Sequence, residues 1–159
     1  MHTSHVQIVM ASHVNGANWL FGGQLMAWID VTAAVEARRH AHCDVTLVAV
    51  DAMEFIAPAS LNDTIILNAE VTWTGHTSLE VRTEAFVEHL DGRRQLVNRA
   101  YLVFVAIGND GQPRPVEPFR PETAEQQAEW DQALLRRDRR LQMRQRQESA
   151  AGTGLNGRL

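Results

Sequence analysis

Hydrophobic positions along the chain recur at helical spacing from Gly22 to about His40 and at strand spacing from residue 45 to 108. The stretch "HVQIVM" at 5–10 reads as a short strand, and "SHVNGANW" at 12–19 as a loop rich in turn formers. From Gly22 to about His40, Leu25, Met26, Ile29, Ala33 and Ala37 recur at helical spacing. Ala27, Trp28, Val31, Ala34 and Val35 widen that stripe until little polar face remains, and a helix apolar nearly all round is normally buried.

After "HAHCD" the spacing becomes that of strands. Residues 45–58 are apolar on both faces in their first half, as in a central strand, and Pro58 ends the run. In 63–75, Ile65, Leu67, Ala69, Val71 and Trp73 share one face, and 77–90 alternates in the same way beyond a Gly75-His76 turn. Asp91-Gly92 marks the next turn, and 96–108 is a fourth long strand. One buried helix followed by an antiparallel meander predicts an α+β fold, a curved antiparallel sheet wrapped around a long central helix. A polar C-terminal helix is expected over 121–147, with Ala128, Trp130, Leu134, Leu135 and Leu141 on its apolar side. Its acids come early and its arginines late, as the helix dipole favours. The expected organisation is one domain over 1–120, that helix, and a disordered tail over 148–159, with no internal repeat.

Composition narrows the class. With 159 residues and 45% hydrophobic content the chain supports one domain with a real core. Its longest apolar runs, such as "YLVFVAI", fall far short of the roughly 20 residues that span a bilayer, and the N-terminus lacks a basic flank before a signal core. A soluble cytoplasmic protein with no membrane partner is expected. The single cysteine, Cys43, excludes an internal disulfide framework. All 15 basic residues are arginine, and residues 1–135 hold 17 acids against eight of them, a formal charge of −9. Such a body does not suit nucleic acid. The basic stretch "RRDRRLQMRQR" at 136–146 reads instead as a solvated helix face or an inter-subunit contact.

The chain has no GxSxG, HExxH, phosphate-loop or dinucleotide motif. "HAHC", with His40, His42 and Cys43, matches no common zinc spacing and reads as a helix terminus with histidines at the negative end of the dipole, so no metal is expected. Asp30 is the sharper feature. An ionised carboxylate in an apolar helix costs several kcal/mol unless it is partnered, which leaves an ion pair across a subunit interface and a reactive site both open. Gly22 and Gly23 open the same helix, where free N–H groups and close approach make a ready oxyanion hole, although such a pair also serves a tight turn. Gly23 and Asp30 share a helix face but stand roughly 10 Å apart along the axis at about 1.5 Å per residue. Two antiparallel helices meeting at a dimer interface could bring both to one carbonyl.

"VQIVMASHVNGANWLFGGQLMAWIDVTAAVEARRHA", then "TLVAVDAMEFIAPASLNDTIILNAEVTWTGHTSLEVRTEAFVE", then "NRAYLVFVAIGNDGQPRPV" resembles the hotdog-fold acyl-CoA thioesterases of the cytosolic acyl-CoA hydrolase type. The likeness runs from residue 5 to about 118 and rests on N-x6-GG-x6-D, V-D-x-M-x-F-x-x-P and T-G-x-T-S in that order. It implies the hotdog fold and hydrolysis of an acyl-CoA to a free acid and coenzyme A, with no separate cofactor because coenzyme A is part of the substrate. It also implies that Asp30 of one subunit activates water or attacks the thioester. Asn15 and the Gly23 amide of the neighbouring subunit would hold the carbonyl, in a homodimer with shared sites; the family often builds hexamers.

His76, Thr77 and Ser78 are implied coenzyme A contacts, beside their plain reading as a hairpin turn, and Asp51 reads as structural. The chain departs from the family at Asn18, where glycine is usual, and at His76, where arginine is common. Other activities on this fold are a non-catalytic acyl-CoA sensor, which needs no water-activating carboxylate, and a hydratase, which typically depends on a histidine that the first half of this helix lacks. The arginine stretch could grip coenzyme A phosphates or dock dimers into a ring. The depth of an acyl pocket depends on side chains that face the helix from two subunits, and Trp19, Trp28 and Met26 could shorten it.

Overall fold

The structure, a computed structural model, describes residues 2–154, with side chains to residue 150. The chain divides into two units between Arg120 and Pro121. In the first, β1 (Thr3–Ile8) leads through a 3-10 turn (Ala11–His13) into α1 (Gly22–Ala41), followed by β2 (Asp44–Phe55), β3 (Thr64–Thr74), β4 (Ser78–Glu88) and β5 (Arg94–Ile107). All five strands form one antiparallel sheet in the order β1-β3-β4-β5-β2. This is the curved sheet around one helix that the spacing predicts.

Strand β2 corrects one detail of that prediction. A simple meander would set it beside β3, and its two-faced apolar character suggests a central position. It lies instead at the far edge, paired only with β5 among the described residues, and its register slips at Val48 and Asp51. Leu47, Val48 and Val50 stay exposed there. The physical reason is the crossover by α1, which carries the chain over one face of the sheet before β2 is laid down.

Helix α1 packs on every strand of the sheet. Leu25, Ile29, Ala33 and Ala37, successive at i+4, are buried in the core with Val81, Leu102 and Phe104. Burying a side chain such as Ile29 contributes roughly 1.5–3 kcal/mol. The helix ends where His42 turns left-handed (φ 53°) and its N–H caps the Arg38 carbonyl at 2.9 Å. His40 Nε2 bonds the Glu117 carbonyl at 2.8 Å, so the "HAHC" stretch works as a helix terminus.

The second unit is α2 (Ala124–Gly154). The helix continues past the predicted end at 147, because "ESAA" holds good helix formers and no proline. Residues 148–154, expected to be disordered, are thus helical, and 155–159 lie outside the described residues. Within α2, Arg136 pairs with Glu129 at 3.1 Å. No helix among the described residues is long and apolar enough to cross a membrane.

Candidate active site

The segment before α1 is a small hairpin. Val14 pairs with Leu20, and the Asn15 N–H donates to the Trp19 carbonyl at 2.8 Å. Its turn needs one left-handed residue, which is Asn18 at φ 62°. Asparagine tolerates that region far better than most residues, so the departure from glycine at this position preserves the turn. Outer bonds fix the hairpin to the body: Trp19 bridges to Ser60, and the Leu20 N–H donates to the Ala59 carbonyl at 2.7 Å.

Inside this turn the Asn15 side chain has a definite orientation. Its Oδ1 accepts from the Ala17 N–H at 2.9 Å and the Trp19 N–H at 3.2 Å. With the oxygen held in this way, the exposed amide turns its Nδ2 donors outward, away from the loop.

Phe21 caps α1 with its backbone only. The Gln24 and Leu25 N–H groups return to the Phe21 carbonyl, while among the described residues those of Gly22 and Gly23 have no acceptor. A Cβ on Gly22 would stand 3.7 Å from the Phe55 ring, whereas one on Gly23 would come within 2.7 Å of the Phe21 ring, so glycine keeps this corner open. Beside it a cavity of 270 Å³ is lined by Leu20, Leu25, Phe55, Ile56, Pro58 and Val97, among others. Trp19, Trp28 and Met26 do not line this single-chain cavity. Trp28 is engaged elsewhere, edge-on to the His13 ring with centroids 5.0 Å apart.

Asp30 is not buried within its own chain, in contrast to the sequence reading. It is exposed on α1 with no hydrogen-bond or ion-pair partner among the described residues, and Met26 (47% exposed) and Val31 (62%) flank it. The buried acid of this helix is Glu36, overlooked in the sequence. It is 2% exposed, accepts from Thr3 Oγ1 at 2.6 Å, and Arg39 donates to the same hydroxyl at 2.9 Å. Glu36 lies seven residues after Ile29, hence on the stripe that faces the sheet, and that spacing was the available signal.

The turn between β3 and β4 is an ordinary hairpin, with the Gly75 N–H donating to the Ser78 carbonyl at 2.7 Å. Its carbonyls at His76 and Thr77 accept from the Val116 and Ala106 N–H groups, and the His76 side chain is exposed. Ser78 pairs with Val105, which pairs with Thr46 near the start of β2, so this turn lies at the sheet end where α1 finishes. Gly22 sits by Phe55 at the other end. One chain therefore places the Asn15 hairpin by the Gly22–Gly23 end of α1, with Asp30 further along the helix and residues 76–78 at the opposite sheet end.

The thioesterase superfamily model matches residues 17–91. An uncharacterized acyl-CoA thioester hydrolase of Bacillus subtilis, YkhA, is 35% identical over 86% of this chain and 80% of its own length. The chain belongs to the hotdog-fold acyl-CoA thioesterases. By family it is an acyl-CoA thioester hydrolase. An acyl-CoA hydrolase from Staphylococcus aureus, solved with butyryl coenzyme A, coenzyme A and coenzyme A disulfide, superposes with a TM-score of 0.89 at 28% identity, covering 98% of this chain and 95% of that one. That hydrolase has also been solved with an aspartate, an asparagine or a threonine replaced by alanine. A hexameric acyl-CoA thioesterase superposes at 0.86 with 31% identity, over 89% of this chain and 92% of its own.

Proposed function

We propose that the protein hydrolyses the thioester of an acyl-CoA to a free carboxylic acid and coenzyme A, without a further cofactor, at a site shared by two copies of the chain. The observation that carries this reading is the placement of the polar groups. Donors from Asn15 Nδ2 and the Gly23 N–H sit at one end of α1, and an unpartnered carboxylate sits in the middle of an exposed apolar face. An exposed apolar face beside an open, apolar strand edge favours a second copy, which would pair along β2 and cover α1. Hexameric relatives fit further association of such dimers.

With two such helices antiparallel, Asp30 of one chain approaches Asn15 and Gly23 of the other. The carboxylate takes a proton from a water whose oxygen bonds to the carbonyl carbon, the donors hold the developing oxyanion, and the C–S bond breaks as the protonated carboxyl returns that proton to the leaving sulfur, giving the acid and the thiol. The cavity beside Gly22 suits the acyl chain. Residues 76–78 lie beyond the C-terminal end of α1, so coenzyme A contacts at His76, Thr77 and Ser78 would come from the chain that supplies Asp30.

Thiol release from acyl-CoA substrates of increasing chain length tests this reading. Asp30→Asn should lose about a hundredfold or more in kcat, at unchanged folding. Equal turnover by the variant, or none by the unaltered protein, would refute it.

A further inference from the structure

Besides its bonds to residues 59–61, the hairpin that carries Asn15 is tied to the start of α1 at His13, through three contacts. The His13 carbonyl accepts from the Phe21 N–H at 2.8 Å, which joins the start of the hairpin to the cap of α1. Its Nδ1 accepts from the Met10 N–H at 3.0 Å and closes the 3-10 turn. Its ring meets Trp28 at an interplanar angle of 89°, on the partly buried side of the helix. Because Nδ1 must be the acceptor, the ring carries its proton on Nε2 when neutral.

We propose that His13 is a positioning residue: it fixes the Asn15 amide relative to the Gly22–Gly23 end of α1, and so sets the two donors that hold the thioester carbonyl. The proposal rests on the reading of Asn15 and Gly23 given above. The loop supplies one donor and the helix the other, and the His13 side chain touches both pieces, through Met10 on one side and Trp28 on the other. Displacing one donor by a fraction of its bond length weakens stabilisation of the transition state more than capture of the substrate, because the oxyanion makes the stricter geometric demand.

The test is a double-mutant cycle on thiol release. His13→Ala should lower kcat about tenfold, with KM within about twofold, when Asn15 is present. In an Asn15→Ala background it should have no further effect, because the donor it positions is gone. Equal losses in both backgrounds would mean a general structural role and overturn the proposal.

Two further variants separate the contacts and serve if His13→Ala does not fold. His13→Asn keeps an acceptor near the Met10 N–H and drops the ring, and His13→Phe does the reverse. Each variant drops one grip, so each should lower kcat about threefold or more with KM within about twofold; full kcat in both would overturn the assignment. If Asn15→Ala itself keeps full kcat, the shared-site reading has failed. If that variant is inactive and the His13 effect is additive, only the present proposal has failed.

Discussion

Asn15 uses the two ends of its amide for different purposes, and each can be removed separately. The oxygen folds the loop by accepting two backbone N–H groups, and the nitrogen is the donor proposed for the substrate carbonyl. Asn15→Asp keeps an oxygen acceptor for the loop and replaces the donor with a second acceptor. Its melting temperature should stay within a few degrees of the unaltered protein, since a lost cap costs about 1 kcal/mol and this one is retained. Its kcat should fall about 10²- to 10³-fold, the range for loss of one oxyanion donor. A parallel fall in stability and turnover would show that the side chain is only a loop former. Gly22–Gly23 and Asp30 stand out in the sequence by their place on the helix, and Asn15 only through the resemblance to the family. The orientation of the amide is not legible there, because it depends on Ala17 and Trp19 N–H groups that only the folded turn, with Asn18 left-handed, brings to one oxygen.

Helix α1 shows why apolar periodicity alone does not say what surrounds Asp30. A helix apolar all round reads as wrapped by its own sheet, yet it has two apolar stripes and only one of them meets that sheet. Leu25, Ile29, Ala33 and Ala37 meet the sheet of the same chain, while Met26 and Val31 flank Asp30 in the open. Residue pattern reports that a surface avoids water without saying which molecule covers it. The same ambiguity made β2 look central, since an edge strand that pairs with a second copy is also apolar on both sides. Both errors fall on the surface where the second chain is proposed to bind. Val31→Arg tests this at the level of the element. At 62% exposure an arginine there can reach solvent in the single chain, so folding by circular dichroism should change little. Light scattering should show a monomer, and thiol release should be lost with the dimer. An active monomer would place the whole site within one chain.

For the whole molecule, the separation of groups along α1 gives a prediction that needs no knowledge of the acyl chain. Asp30 stands about 10 Å along the helix from Gly23 at roughly 1.5 Å per residue, so the two cannot meet on one carbonyl without a second helix. In a two-fold dimer each site then takes its carboxylate from one copy and its donors from the other. Asp30→Asn and Asn15→Ala homodimers should both be inactive. When they are mixed and allowed to exchange chains, half of the dimers become hybrids. In each hybrid one site joins an intact Asp30 to an intact Asn15, and the other site holds both defects. Activity should therefore return to about a quarter of the unaltered value for random pairing of symmetric dimers. Recovery should follow the rate of chain exchange, and dilution before mixing should speed it because dissociation comes first. If Asp30 and Asn15 served the same chain's site, every site in every hybrid would still lack one of the two, and mixing would recover nothing.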